Sequence, residues 1–425
     1  MLDTRSIRND FPILQQQVHG NKSLVYLDSA ATSQKPNQVI DALSNFYRNN
    51  NGGIHRGSHD LAERATLEFE KARLNVASFI GATEKEIVFT KNATESINLV
   101  SYAFLNATAK AKNDSILLDG EERFVLSVGD EILLTEMEHH ANLVPWQELS
   151  LKTGAVLRFI PITDYGRLDL SNLDVLINEH TKIVSFVHQS NILGTINPVA
   201  KIVSKAKSVG AFTLLDACQS VPHFPVNIAD VDVDFLAFSG HKMLGPNGVG
   251  VLYIREELMK SVPVFITGGS MIEIVHLESS TYQKNVSRFE AGTPASADII
   301  GLSAAVDYLR KIGMNDIHQH TQSLTAYALE GLQQISGVKI VGPPDMVDRG
   351  AVISFTVDGI HPHDVGQFLD ADGVAVRVGH HCAWPVCRRF EVPATTRASF
   401  YMYNEKSEID VMLDAIAKTQ KYFGV

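Results

Sequence analysis

Short apolar or β-branched runs alternate along the chain with stretches whose apolar residues recur at helical spacing. The runs at 24–27, 86–90, 131–135, 156–162, 183–187, 212–215, 235–238 and 249–254 read as strands, and 67–80 and 200–209 read as intervening helices. Such alternation predicts an α/β fold with a mainly parallel sheet covered by helices on both faces. In that architecture ligands bind beyond the strand ends. From about residue 296 the pattern changes to helices with short strands such as 351–357. It closes in a helix with Ile409, Met412, Leu413 and Ile416 on one face, which reads as a second, smaller unit.

The chemistry clusters where strands end. Phe235-Leu236-Ala237-Phe238 runs into Ser239-Gly240-His241-Lys242, setting an ammonium at the mouth of a buried strand. Ala211-Phe212-Thr213-Leu214-Leu215 ends in Asp216, with Gln219 one turn farther on. An aldehyde cofactor of the pyridoxal phosphate type needs a Schiff-base lysine, an acid partner for its ring nitrogen and donors for its phosphate. Lys242, Asp216, and Ser239 with His241 can supply these three. Further phosphate donors are expected from a helix N-terminus. The segment Asn92-Ala93-Thr94-Glu95 follows a β-rich run and precedes a helical pattern, so it reads either as such a cradle or as an ordinary cap.

Length and charge narrow the class. The 425 residues can bury a large core, and a formal net charge of −11 without a dense Lys/Arg run argues against a nucleic-acid binder. No apolar run long enough to span a bilayer and no secretion signal is visible, and three scattered cysteines fit a reducing compartment, so a cytoplasmic protein is expected. Neither Cys382 nor Cys387 sits in a Cys-x-x-Cys pair, and no metal site is expected. Cys218, between Asp216 and Gln219, reads as a buried, inert thiol.

Several longer stretches occur in one order: Leu27-Asp28-Ser29-Ala30-Ala31, His55-Arg56-Gly57, Glu138-His139-His140-Ala141-Asn142, Ser190-Asn191-Ile192-Leu193-Gly194, Arg288-Phe289-Glu290-Ala291-Gly292-Thr293-Pro294 and Arg377-Val378-Gly379-His380-His381-Cys382-Ala383. Together they resemble the class V aminotransferase-like pyridoxal phosphate enzymes, and within them the SufS-type (group II) cysteine desulfurases. The resemblance implies fold type I: an N-terminal arm over 1–20 packed on the small domain, a large cofactor domain over 21–295 with a seven-stranded sheet, and a small α+β domain over 296–425 carrying the catalytic cysteine.

Carried over by position, Lys242 would form the Schiff base, Asp216 would hold the ring nitrogen and Gln219 would donate to the phenolate oxygen. His139 would stack on the ring and relay protons, and Ala93, Thr94, Ser239 and His241 would surround the phosphate. Thr293 would reach the phosphate of the partner subunit in a homodimer whose active site lies at the interface. Arg397, Asn191 and Arg377 would receive the carboxylate of L-cysteine. Cys382 would take the sulfur as a persulfide and release alanine, supplying iron–sulfur cluster assembly. His380 and His381 either favour the Cys382 thiolate or simply form a polar turn.

The compact segment Gly379–Pro385 separates this branch from relatives with a long mobile loop. It implies an acceptor protein that enters the site. His363, in His361-Pro362-His363-Asp364, matches the residue that meets the zinc of a SufU-type acceptor, with a helix-start His-Asp pair near a cap as the alternative reading. A selenocysteine lyase or another lyase or transaminase on the same scaffold is the alternative reading, and an inactive scaffold subunit a more distant one. Residues 105–129 are longer than the family pattern, and Asp119-Gly120 between apolar runs predicts a surface β-hairpin.

Overall fold

The structure is a computed structural model describing residues 2–425. Its centre is a seven-stranded sheet in the order Ile87–Thr90, Gly250–Ile254, Phe235–Ser239, Phe212–Asp216, Thr181–Val187, Glu131–Thr135, Val156–Ile160. Gly250–Ile254 runs antiparallel to both neighbours, and the remaining pairs are parallel. Alternate residues of each strand enter opposite cores. Leu133, Val184, Leu215, Leu236 and Phe238 face one apolar layer, while Ile132, Ile183, Leu214, Phe235 and Ala237 face the other. Both faces are therefore dry, which is why these strands read as continuous apolar runs rather than as alternating ones.

Helices supply the covering layers. Asp60–Phe79 buries Phe69, Val76 and Ala77 on one side, and Ala93–Lys112 buries Ile97, Val100 and Phe104 on the other. The helices at 67–80 and 200–209 both form, the first beginning a full two turns earlier because Asp60 and Glu63 favour its N-terminal end. A second, antiparallel sheet orders Val338–Val341, Val352–Val357, Thr395–Ser399 and Arg377–Gly379 around a separate core that includes Ile353, Phe355, Ile409, Met412 and Ile416. In its register Arg377 stands directly opposite Arg397.

Two expectations are corrected. The run at 24–27 is not a strand of the main sheet: Val25–Tyr26 pairs in parallel with Val374–Ala375, because Val25 and Leu27 are needed in the core of the smaller sheet. The Asp119-Gly120 hairpin does not form. Ala93–Lys112 is one uninterrupted helix, and after a coil the chain makes a single 3-10 turn, Glu121–Phe124, with Gly120 at φ +84°. Tertiary burial overrides the local turn signal here. Phe124 stacks on Phe212 at 4.7 Å, and the fully buried Glu121 carboxylate accepts from Lys110 Nζ and from the Leu118 N–H. Among the described residues no helix is long and apolar enough to cross a membrane.

Candidate active site

The C-terminal ends of the parallel strands point to one edge of the sheet, and the loops leaving them carry the predicted chemistry. Thr90 leads to Asn92–Thr94, Thr135 to His139, Val187 to Asn191, and Ser239 to Lys242, while Asp216 is itself a strand terminus. These loops line a cavity of about 240 Å³ that holds Ala93, Thr94, His139, Asn191, Asp216, Gln219, Ser239, His241 and Lys242. Arg377 and Arg397 enter the same cavity from the smaller sheet. One space thus gathers residues spread over three hundred positions of sequence.

The phosphate-side residues are set by the helix Ala93–Lys112. Asn92 caps it by accepting from Glu95 N–H at 3.0 Å, and Ser239 Oγ accepts from Ala93 N–H at 2.9 Å. Among the described residues no acceptor takes the Thr94 N–H. A donor left over at a helix N-terminus, in a cavity that also holds Ser239 and His241, suits a dianionic phosphate. Gly250 makes this placement possible, since a Cβ there would collide with the Asn92 backbone.

Across the cavity, Asp216 is buried and its Oδ1 accepts from Cys218 N–H at 3.0 Å. Gln219 Nε2 donates to the Ala30 carbonyl at 2.8 Å, leaving its second N–H available. His139 Nδ1 accepts from Ala141 N–H at 3.0 Å, so its neutral ring carries the proton on Nε2. Burial, and after it the Lys242 charge, push the His139 pKa down to about 3. Burial and the same lysine take His241 to about 4. Both imidazoles are neutral at ordinary pH.

The carboxylate-side residues form a buried cationic corner. Arg397 is 1% exposed; it donates to Asp28 Oδ1 at 2.9 Å and to the Asn191 carbonyl at 3.1 Å, and its Nε has no partner. Asn191 Nδ2 donates to the His381 carbonyl at 2.7 Å, and its Oδ1 is likewise buried without a partner. Arg377 Nη2 lies 3.6 Å from Cys382 Sγ. These orphaned polar atoms fit a cavity built to receive a polar ligand.

Cys382 lines an adjoining cavity of about 530 Å³ that shares Thr94, His139 and Ala141 with the first. It is half-buried, and its backbone is pinned by the His140 N–H on its carbonyl at 2.6 Å. His381 and Cys382 both adopt positive φ, +52° and +56°. Two consecutive non-glycine residues in this region cost roughly 1–2 kcal/mol each. Bonds from His381 Nε2 to Thr395 Oγ1, at 2.8 Å, and from Asn191 to the His381 carbonyl hold them there.

Two predicted residues lie elsewhere. Thr293 lines a separate cavity with Thr90, Lys91 and Glu95, and His363 is exposed in the first turn of Pro362–Ala371, where His361 Nδ1 caps the helix. Sequence reasoning also missed contributors. Asp28 anchors Arg397, and Glu138 is fully enclosed, accepting from Thr135 Oγ1, Val187 N–H and Asn142 Nδ2 so as to clamp the turn that carries His139. Burial raises the Glu138 pKa to about 8. Both lie inside quoted motifs, yet no spacing rule separates a clamp from its neighbours.

The model of the family described as aminotransferase class-V matches residues 25–123 and 120–412. The chain belongs to the class-V aminotransferase family. Among curated proteins, the chain is 52% identical over 426 residues to "Probable cysteine desulfurase 2" of Mycobacterium leprae, covering 100% of this chain and 98% of that protein. It is 44% identical over 436 residues to "Cysteine desulfurase" of Haloferax volcanii, with 100% and 98% covered. Its fold is similar to the apo structure of the cysteine desulfurase from Thermococcus onnurineus NA1, with TM-score 0.90, 38% identity, and 100% and 99% of the two chains covered.

Proposed function

We propose that this class-V family member is a pyridoxal phosphate-dependent cysteine desulfurase that converts L-cysteine to L-alanine and holds the sulfur as a persulfide on Cys382. The observation that carries this reading is the shared wall between two cavities. Lys242, Asp216 and the helix N-terminus occupy one, and the Cys382 thiol opens on the other across His139. When bound, the cofactor supplies an aldehyde for amine exchange and an electron sink at the substrate's α-carbon.

The protein's own groups do the rest. Lys242 carries the amine and moves the α-proton, Asp216 holds a proton at the ring nitrogen and Gln219 donates beside the ring oxygen. His139 covers the ring as a neutral imidazole. Ala93, Thr94, Ser239 and His241 hold the phosphate, and Thr293 serves the partner subunit's phosphate in a homodimer. Arg397, with Asn191, takes the substrate carboxylate, which places the substrate's sulfur toward Cys382. The Cys382 thiolate then attacks that sulfur: an S–S bond forms, the C–S bond breaks, and its electron pair stays with the β-carbon, which takes a proton, while Lys242 returns the α-proton to complete alanine. Arg377, whose Nη2 stands 3.6 Å from Sγ, adds a second cation on the substrate's side of the cavity.

The finer assignment is to the SufS-type, group II branch, in the cytoplasm, with the cofactor between a large unit of residues 21–295 and a small unit of residues 296–425, and residues 1–20 packed on the latter. Only four residues separate strand Arg377–Gly379 from helix Trp384–Arg389, and both His381 and Cys382 are tethered, which supports a thiol of short reach. Sulfur then passes to an acceptor protein that comes to it, a zinc-containing SufU-type acceptor met by His363, for use in iron–sulfur cluster assembly. The test is to supply L-cysteine and quantify alanine and sulfide with a reductant. Equimolar products from the wild type and none from Cys382→Ala are expected; undiminished turnover by the variant would overturn the assignment of Cys382.

A further inference from the structure

Lys242 lies in a one-turn 3-10 helix, Gly240–Lys242, and Leu244 follows at φ +68°. The turn has few bonds of its own: Met243 and Gly245 both return their N–H to the Gly240 carbonyl. The rest of its hold comes from a strap more than two hundred residues away in sequence. Ser33 N–H, Ser33 Oγ, Thr32 Oγ1 and Lys35 Nζ all donate to the His241 carbonyl oxygen, each at 3.0 Å. A carbonyl has two lone pairs, so the four donors share them and hold the oxygen from several sides, with the cationic donor the strongest of the four. Ser33 Oγ also accepts from Leu244 N–H at 2.7 Å, so one hydroxyl spans both sides of Lys242. The strap is itself tied down, with Tyr26 OH donating to the Thr32 carbonyl at 2.7 Å.

Lys35 is the unexpected member. It is half-buried, and among the described residues its ammonium meets no carboxylate; its partners are Ser33 O, His241 O and Thr32 Oγ1. Burial alone pulls its pKa down to about 8. A lysine desolvated without a counter-charge works against stability, and a neutral side chain of similar size would pack there without that cost. Its charge reaches the cavity, since it contributes, after Lys242, to depressing the proton affinity of His241. The geometry and the missing counter-charge together call for a role outside folding.

We propose that Lys35 is a positioning residue which, with Thr32 and Ser33, locks the His241–Lys242 peptide and so sets the direction from which the Lys242 amine and the His241 imidazole enter the cofactor cavity. Because the peptide unit is planar, fixing the His241 oxygen also fixes the nitrogen of Lys242. The inference rests on reading the cavity as the pyridoxal phosphate site.

The experiment titrates apo wild type, Lys35→Met and Ser33→Ala with pyridoxal phosphate, reading visible absorbance and visible circular dichroism, with melting of each apo protein as the control for folding. One hydrogen bond from a charged donor is worth roughly 10- to 150-fold, and sharing its acceptor with three other donors puts Lys35 at the low end of that range. Lys35→Met is therefore expected to bind the cofactor about tenfold more weakly and to lose much of the visible ellipticity, while its apo form melts no lower than wild type. Ser33→Ala is expected to shift both readouts in the same direction and keeps the test alive if the lysine variant does not fold. Wild-type affinity and ellipticity in both variants would overturn the positioning role. A wild type that takes up no cofactor would instead overturn the reading of the cavity.

Discussion

Replacing Arg397 with lysine keeps a cation at the substrate corner and removes the planar fork. In the wild type, Nη2 is engaged by Asp28 and Nη1 by the Asn191 carbonyl, while Nε is buried without a partner. A lysine ammonium can still pair with Asp28, but it is a point donor that cannot also offer the two parallel N–H groups a carboxylate accepts. The loss is one charge-assisted hydrogen bond, about 1.5–3 kcal/mol. At about 1.4 kcal/mol per factor of ten, this raises KM for L-cysteine by about 10- to 150-fold. Because the contact is made in the ground state as well as the transition state, kcat should change far less. Steady-state alanine formation against L-cysteine concentration separates the two constants. A KM within twofold of wild type, in a variant whose apo form melts normally, would refute the placement of the substrate carboxylate.

Three further outcomes follow from the same geometry. Iodoacetamide should label Cys382 and spare the other cysteines, because burial pushes the Cys387 thiol up to about 11 and, with Asp216 beside it, the Cys218 thiol higher still; peptide mapping reads this directly. Glu121→Ala should destabilise the protein by about 3 kcal/mol, chiefly by leaving the buried Arg288 without its counter-charge, and hydrogen exchange should show residues 113–128 losing protection first. Buried histidines are held neutral, His223 and His139 to about 3 and His188 to about 4, so below the ordinary value near ~6.5 the unfolded chain binds more protons than the folded one. Stability should therefore fall as pH drops from ~6.5 toward ~4. His223→Asn, outside the active site, should flatten that slope by about 1.4 kcal/mol per pH unit in denaturant titrations.

Much of the fold was legible because the strands are buried on both faces: continuous runs such as Phe235-Leu236-Ala237-Phe238 have few other uses. Strand ends carrying Asp216 and Lys242 were legible for the same reason. What escaped was decided by distant contacts. Val25–Tyr26 has the composition of a central strand, but its partner is 349 residues away in register, Val374 opposite Val25, in the smaller unit. Asp119-Gly120 has the local chemistry of a hairpin turn, yet Phe124 gains more by stacking on Phe212 than a two-stranded ribbon could return in water. The strap at Thr32–Lys35 was invisible because its function lies in one carbonyl oxygen, and no side-chain pattern reports where a backbone acceptor points.

The central claim is that the Cys382 thiol and the Lys242 amine act on one bound amino acid. The most direct test incubates the cofactor-loaded protein with L-cysteine in the absence of reductant and acceptor, traps the thiols and maps the peptides by mass. One added sulfur atom on the Cys382 peptide, matched by an equivalent of alanine, is the predicted result. Sulfur on Cys218 or Cys387, or alanine formed with Cys382 unmodified, would contradict it.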